Sequence, residues 1–157
     1  MGSETPPITP ATLALDGAGA EYRLVHYGKV RSAEEAAEKR GIALEALAKT
    51  LVIRVSEGEY VLVLVPGHLG LDYRKLRDLL AVRRLTMPDP DEAKGATGYP
   101  RGAITPLGAG DHRTIVDQRL ALLPEVSLGS GVHGWAIHLS PGTLISFDHV
   151  EVADIAG

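Results

Sequence analysis

The clearest hydrophobic pattern lies near the middle of the chain, where two β-branched runs follow one another. Residues 49–55 and 59–65 are almost wholly apolar, and the short segment Ser56-Glu57-Gly58 separates them. Two such runs joined by a glycine-containing turn predict a β-hairpin. Because apolar residues do not alternate with polar ones, we expect both strands at the sheet centre, buried on both faces. Shorter runs predict strands at 21–27, 82–86, 114–117, 125–128 and 135–139.

Capping residues predict where helices begin in the rest of the chain. Thr9-Pro10 predicts an N-cap and a helix over 10–16, and Ser32 with Glu35 predicts a capping box for a helix that ends at Gly41. Asp72 predicts the start of a helix over 73–80, with three leucines facing inward: Leu76, Leu79 and Leu80. Further helical segments are predicted over 44–48, from 90 to about 93, and 141–147. Since helices and strands do not alternate strictly, the fold class is α+β, a curved mixed sheet with helices outside.

Composition limits the partners of the protein. The chain has 157 residues, a net charge of −4 and no cysteine. We expect a disordered tail over 1–8 and a single domain over 9–157. No apolar run is long enough to span a membrane and no signal peptide is visible, so the expected location is cytoplasmic, away from membranes. A net negative charge argues against binding to duplex DNA.

A glycine-rich stretch over 93–108 is the strongest candidate for function. Its four glycines and two prolines exclude a helix interior or a central strand, while apolar residues between them indicate an ordered loop. At its centre lies the GxxxP loop, Gly102–Pro106, in which the glycine allows a ligand close to the main chain. The same pattern is also typical of a tight loop with only a structural role.

Few established catalytic patterns are present. The six histidines show no HxH or HExxH spacing, so a metal site is not expected, and there is no GxSxG or GxxxxGK motif. Lys49 stands at the start of the first buried strand, where its stem can pack while its ammonium binds a phosphate or carbonyl oxygen. The alternative is a solvated lysine at a strand end. We expect the loops 97–108 and 129–134 to converge beside it.

Several short motifs together resemble the YbaK/EbsC family, which includes the editing domain of bacterial prolyl-tRNA synthetases. They are Lys49-Thr50-Leu51, residues 71–76 (LDYRKL), Thr97-Gly98-Tyr99, residues 102–108 (GAITPLG), Ile115-Val116-Asp117, Gly131-x-x-Gly134 and residues 152–156 (VADIA). The resemblance covers about residues 9–156, with the motifs in the same order and at compatible spacings.

The resemblance implies both a fold and an activity. The fold would be α+β with a strongly curved, barrel-like mixed sheet and peripheral helices. The activity would be hydrolysis, in trans, of a mischarged aminoacyl-tRNA bearing a small amino acid such as Cys, Ala or Ser, on tRNA-Pro, without cofactor or metal. The partners would be the acceptor end of the tRNA and prolyl-tRNA synthetase. Lys49 would be catalytic, and the substrate would be bound by Tyr27, Thr50, Gly102, Ala103, Ile104, Thr105, Pro106, Gly129, Ser130, Gly131 and His133.

The second glycine loop, residues 129–134, departs from the pattern of cysteinyl-tRNA editors. Those proteins carry a serine at its start and then an Arg-Gly pair, where this chain has Gly129 and His133-Gly134. Ser130, one residue away, is a candidate substitute. This departure argues against specificity for cysteine and leaves Ala, Ser, Thr or another small amino acid open. His133 either donates to the substrate or caps the loop.

Two other functions remain open at this point. The chain is alternatively a non-catalytic module that docks on a synthetase or a charged tRNA, or a hydrolase of another small ester or amide. The densest basic cluster is a candidate phosphate contact or a solvated helix face: Arg74, Lys75, Arg77, Arg83 and Arg84.

Overall fold

Residues 5–157, the part of the chain that this computed structural model describes, form six α-helices, seven β-strands and one 3₁₀ turn over Leu44–Ala46. The helices are α1 (Pro10–Gly17), α2 (Ala33–Arg40), α3 (Tyr73–Leu80), α4 (Pro90–Thr97), α5 (Gln118–Ala121) and α6 (Pro141–Ile145). The strands are β1 (Arg23–His26), β2 (Ala48–Ser56), β3 (Glu59–Pro66), β4 (Thr114–Asp117), β5 (Val126–Gly129), β6 (Trp135–Leu139) and β7 (Val150–Ala153). The first half of the predicted tail, residues 1–4, lies outside the described range. None of the helices over 5–157 is long and apolar enough to cross a membrane.

The strands form two sheets, so the α+β class is confirmed but the barrel-like sheet was wrong. One sheet has the order β1-β6-β5 and is antiparallel; the other has the order β2-β3-β4-β7, with an antiparallel β2–β3 pair and parallel pairs beyond it. Within the described range, one isolated bridge joins the two sheets, between Leu47 and Ser127. After β5 the N–H of Gly131 donates to Ala103 O of the GxxxP loop.

The larger hydrophobic core lies between the two sheets, and a second core covers the outer face of the four-stranded sheet. Strand β3 explains this arrangement because its side chains alternate between the cores: Leu62 and Leu64 enter the first, and Val61, Val63 and Val65 enter the second. The nearly continuous apolar run of β3 thus reflects burial on both faces, as predicted. The sequence expectation was wrong for β2, which lies at an edge of its sheet.

The predicted helix starts are present. Thr9 and Asp72 accept from backbone N–H groups of α1 and α3, and Gly41 ends α2 with φ of 74°. The capping box at Ser32 is only half formed. The Ser32 hydroxyl accepts from Glu35 N, but the Glu35 carboxylate accepts from Arg31 N instead of Ser32 N.

Other expectations failed where only tertiary contacts decide the outcome. Residues 82–86 form no strand, because the consecutive exposed arginines Arg83 and Arg84 leave no buried face; Thr86 alone bridges to Arg54. Leu79 is exposed, although Leu76 is fully buried. Helix α5 and strand β7 were not predicted, and β7 exists by pairing in parallel with β4.

Candidate functional site

A small cavity of about 170 Å³ lies at the edge of β2 that does not pair with β3. The chain enters this strand through the 3₁₀ turn, so residues 47–50 form one wall of the cavity. The GxxxP loop and the end of β5 form the opposite wall. The lining residues are Arg40, Leu47, Ala48, Lys49, Thr50, Gly102, Ile104 and Gly129. Lys49 and the GxxxP loop, which are 53 positions apart in the chain, therefore share one cavity.

Lys49 is partly buried and its ammonium is anchored. The Nζ donates to the carbonyl oxygen of Leu69 at 2.7 Å. Within residues 5–157 no carboxylate lies within 4.0 Å of this nitrogen, so its charge is not neutralised by an ion pair. An ammonium carries three N–H donors, which leaves two for another acceptor. Lys49, a lining residue of the cavity, thus has one fixed contact and keeps two donors for another oxygen.

Thr50 brings an unused hydroxyl to the same cavity. Its Oγ1 is buried and has no hydrogen-bond partner among the described residues. A buried hydroxyl without a partner is unfavourable by about 1–3 kcal/mol. Because Thr50 lines the cavity, its hydroxyl is a candidate partner for a polar ligand.

The GxxxP loop is a rigid turn that Tyr99 holds in place. Ala103 N donates to Pro100 O at 3.0 Å, and the buried Tyr99 hydroxyl donates to Leu107 O at 2.7 Å. Burial raises the pKa of Tyr99 to about 12, so the phenol stays protonated and remains a donor at neutral pH. Gly102 has φ of 89°, a left-handed conformation that favours glycine. The N–H groups of Gly102 and Ile104 donate to no acceptor within residues 5–157 and are available to a ligand.

The two glycine loops converge at this cavity, as predicted. A side chain on Gly129 would place its Cβ 2.5 Å from Ile104 O and 3.0 Å from Ala103 O. Only a glycine permits this approach, because a real Cβ does not come within 3.0 Å of a backbone oxygen. Gly129 thereby fixes the distance between the end of β5 and the GxxxP loop.

A second, larger hollow of about 620 Å³ shares Gly102 with the small cavity. Its lining includes Tyr27 and His133, together with His26, Gly28, Lys29, Val30 and Gly134. The His133 Nε2 lies 2.8 Å from Arg101 O, so this exposed side chain holds the loop that carries Gly102. The structure thus gives His133 a contact with the loop at a position that also faces the hollow.

Five of the predicted substrate-binding residues lie behind the cavity wall instead of lining either space. Ala103, Thr105 and Ser130 are at most 1% exposed, and Pro106 and Gly131 are also buried. The Ser130 hydroxyl contacts the backbone of its own loop, at Val132 O and Trp135 O. In this structure the Ser130 hydroxyl therefore faces neither of the two spaces.

Arg40 is a cavity residue that the sequence analysis missed. Its guanidinium lies over the Tyr27 ring, 4.3 Å from the ring centroid, and its Nη1 donates to Ser127 Oγ at 3.2 Å. The signal was available in α2: Lys39 has Glu35 four residues earlier, whereas Arg40 has Ala36 and so lacks a helical ion-pair partner. Burial is the main cause that lowers the pKa of nearby His138 to about 4, and the charges of Arg23 and Arg40 lower it further.

Comparison with known proteins identifies the family of this chain. Residues 28–147 match the family described as the aminoacyl-tRNA editing domain. The chain belongs to this family. Every lining residue of both cavities except His26 and Tyr27 falls within the matched range.

Individual relatives of this editing domain agree with the assignment. EbsC of Enterococcus faecalis, provisionally named a Cys-tRNA(Pro)/Cys-tRNA(Cys) deacylase, is 28% identical over 86% of this chain and 83% of its own length. Proline–tRNA ligase of Thermosipho melanesiensis is 31% identical over 69% of this chain. The match spans only 19% of that ligase.

A solved structure shows the same fold over nearly the full length of both chains. It is a protein provisionally described as a trans-editing enzyme for prolyl-tRNA synthetase, with a TM-score of 0.83 and 26% identity. The similarity covers 96% of this editing domain and 99% of the other chain. Family and fold thus agree in placing this chain among the aminoacyl-tRNA editing domains.

Proposed function

We propose that this protein is a trans-editing hydrolase that removes a small amino acid, such as Cys, Ala or Ser, from mischarged tRNA-Pro. The observation that carries the proposal is the small cavity, which brings Lys49, Thr50 and the GxxxP loop together in a member of the editing-domain family. The provisional name of EbsC and the match to proline–tRNA ligases support tRNA-Pro as the substrate tRNA and prolyl-tRNA synthetase as a partner.

The proposed reaction is hydrolysis of an already activated ester. A water oxygen bonds to the ester carbonyl carbon, the bond from that carbon to the ribose oxygen breaks, and the ribose oxygen takes one proton of the water. The remaining proton is released as the free amino acid ionises. A hydroxyl of the substrate's own ribose positions the water, so the protein does not need its own base.

The protein contributes donors for the negative charge that develops on the carbonyl oxygen. The free N–H groups of Gly102 and Ile104 and the spare N–H donors of Lys49 are the candidates. Donors held in place before the reaction stabilise the transition state by about 3 kcal/mol each in other oxyanion holes. The rigid turn of the GxxxP loop supports this role, because donors that do not reorganise are the most effective.

Selection of the amino acid would be mainly steric. The small cavity has a volume of about 170 Å³, and the side chains of Leu47, Ala48 and Ile104 narrow it. One additional methylene group in such a pocket changes discrimination by about 1–3 kcal/mol. We therefore expect the smallest amino acids to react fastest and proline, the cognate amino acid, to be retained on its tRNA.

A panel of aminoacylated tRNAs tests the proposal. The protein is incubated with tRNA-Pro carrying Ala, Cys, Ser or Pro, and the remaining aminoacyl-tRNA is measured over time. We expect faster loss than in buffer for at least one small amino acid and no acceleration for Pro. Tight binding without turnover would instead identify a binding module, and hydrolysis of free amino-acid esters alone would identify another esterase.

Lys49→Ala tests the proposed catalytic residue. Loss of one charge-assisted donor to the transition state predicts a rate about 10²-fold lower. Lys94→Ala is the matched control, because Lys94 is exposed on α4. Thermal unfolding of both variants shows whether loss of the contact to Leu69 O disturbs the fold. A rate equal to that of the wild type would remove Lys49 from the mechanism.

A further inference from the structure

Two cations line the small cavity without any acid to balance them. Arg40 and Lys49 both lie in its wall, and no carboxylate belongs to the lining. Over the described range 5–157, neither side chain lies within 4.0 Å of a carboxylate oxygen. Most other cations of the protein that are fixed by side-chain contacts pair with acids, as Arg23 does with Glu125. Two partly buried, unbalanced charges in one wall indicate a site for an anion.

Arg40 is held in a fixed orientation with donors to spare. The aromatic ring of Tyr27 supports one face of its guanidinium, and Ser127 Oγ accepts from its Nη1. Its Nη2 donates to no acceptor within residues 5–157, so this edge of the guanidinium is left for a ligand. A planar guanidinium with adjacent free N–H groups matches the geometry of two phosphate oxygens. The stack on Tyr27 reduces the conformational entropy that binding would otherwise remove.

Arg40 connects the small cavity with the large hollow through its contact with Tyr27. Arg40 lines the small cavity, while Tyr27, on which it stacks, lines the large hollow, and Gly102 lines both. A hollow of about 620 Å³ with aromatic and apolar walls is within the usual range for a small-molecule site, whereas the small cavity is below it. An esterified nucleoside can therefore place its base in the large hollow and its amino acid in the small cavity. The ribose then lies at the junction, and the 5′-phosphate that it carries can reach Arg40, which lines the small cavity and stacks on Tyr27 of the large hollow.

We propose that Arg40 binds the 5′-phosphate of the terminal adenosine and that Tyr27 holds the guanidinium in position for it. This inference rests on the proposed function, because the phosphate is that of the tRNA end. Arg40 is in this sense a positioning residue for the ester, whereas Lys49 and the GxxxP loop act on the ester itself. Arg40 thus binds the phosphate and Lys49 acts at the ester, although both residues line the same cavity.

Binding of adenosine 5′-monophosphate and of adenosine to the full chain tests the inference. Both affinities are measured by calorimetry or by NMR titration for the wild type, for Arg40→Gln, and for the control Arg31→Gln, whose side chain is exposed just before α2. We expect the wild type and Arg31→Gln to prefer the monophosphate by about tenfold, which corresponds to about 1.4 kcal/mol. In Arg40→Gln this preference should disappear while adenosine still binds. Arg40→Lys, which keeps the charge but not the planar fork, should retain part of the preference.

The outcomes separate this inference from the proposed function. An equal loss of affinity for both ligands in Arg40→Gln would show that Arg40 only shapes the hollow, and this would overturn the inference. A wild type without preference for the monophosphate would overturn it as well. If the preference depends on Arg40 but no aminoacyl-tRNA is deacylated, the phosphate site stands and the proposed hydrolase activity fails.

Discussion

Gly129→Ala should disturb the cavity directly, because the added methyl group meets the backbone of the GxxxP loop. The new Cβ would lie 2.5 Å from Ile104 O, 3.0 Å from Ala103 O and 3.1 Å from Ala103 C. Ordinary contacts begin near 3.4 Å, so Ile104 O must move by about 0.9 Å. Ala103 cannot move without disturbing a hydrogen bond, since its carbonyl oxygen also accepts from Gly131 N at 2.9 Å. The substitution therefore widens the gap between β5 and the loop that lines the small cavity.

The size of the effect follows from this displacement. Overpacking of a rigid interior typically destabilises by about 1–3 kcal/mol, which for a chain of this length lowers the melting temperature by several degrees. A displacement near 1 Å of groups that position a substrate lowers a rate by about 10²-fold. We expect both changes in Gly129→Ala, with the loss of deacylation larger than the loss of stability alone explains. Deacylation of mischarged tRNA-Pro and thermal unfolding measure them.

Gly95→Ala is the matched control, because it adds the same methyl group in open space. No atom lies within 4 Å of the Cβ that it would carry, and its position inside α4 favours alanine by about 1 kcal/mol. This variant should be slightly more stable than the wild type and equally active. Wild-type activity and melting temperature in Gly129→Ala would refute the reasoning, since they would mean that the two loops are not in contact.

Three further variants test other parts of the structure. Asp117→Ala should destabilise by about 2–5 kcal/mol in urea unfolding, since the buried carboxylate accepts from the backbone N–H groups of Ile155 and Ala156. His138→Leu should reduce the pH dependence of stability. The folded pKa of about 4 lies below the unfolded value near 6.5, so the unfolded chain binds the proton first and stability is lost as pH falls from 6.5 to 4, by up to about 3 kcal/mol. Thr50→Val should keep stability or increase it, because the hydroxyl has no partner, while deacylation falls about tenfold.

Each of these expectations has its own contradicting result. For Asp117 the control is Asp111→Ala at an exposed position, and equal unfolding curves for the two variants would show that the buried carboxylate does not hold the C-terminal segment. For His138, a pH profile unchanged by the leucine would assign the acid sensitivity to other groups. For Thr50, full activity of the valine variant would exclude the hydroxyl from the site.

The sequence by itself determined most local structure in this protein. N-cap residues at Thr9, Ser32 and Asp72 and the turn at Gly58 act within a few positions, so their effects can be read without knowing the fold. The motifs around Lys49 and the GxxxP loop also identified the family, because their order and spacing are properties of the chain. The residues that those motifs contact in the folded protein could not be predicted from the sequence in the same way.

Tertiary structure alone decided how the sheets divide and what lines the cavity. Residues 150–153 form strand β7 because they pair with β4. Residues 82–86 remain irregular because only Thr86 pairs with another backbone segment, at Arg54. Arg40 enters the site because α2 packs beside Tyr27 and Ser127, which are 13 positions before it and 87 positions after it. Contacts across such separations depend on how elements pack and not on local propensity, which is why the sequence of α2 alone does not show that Arg40 lies in the cavity wall.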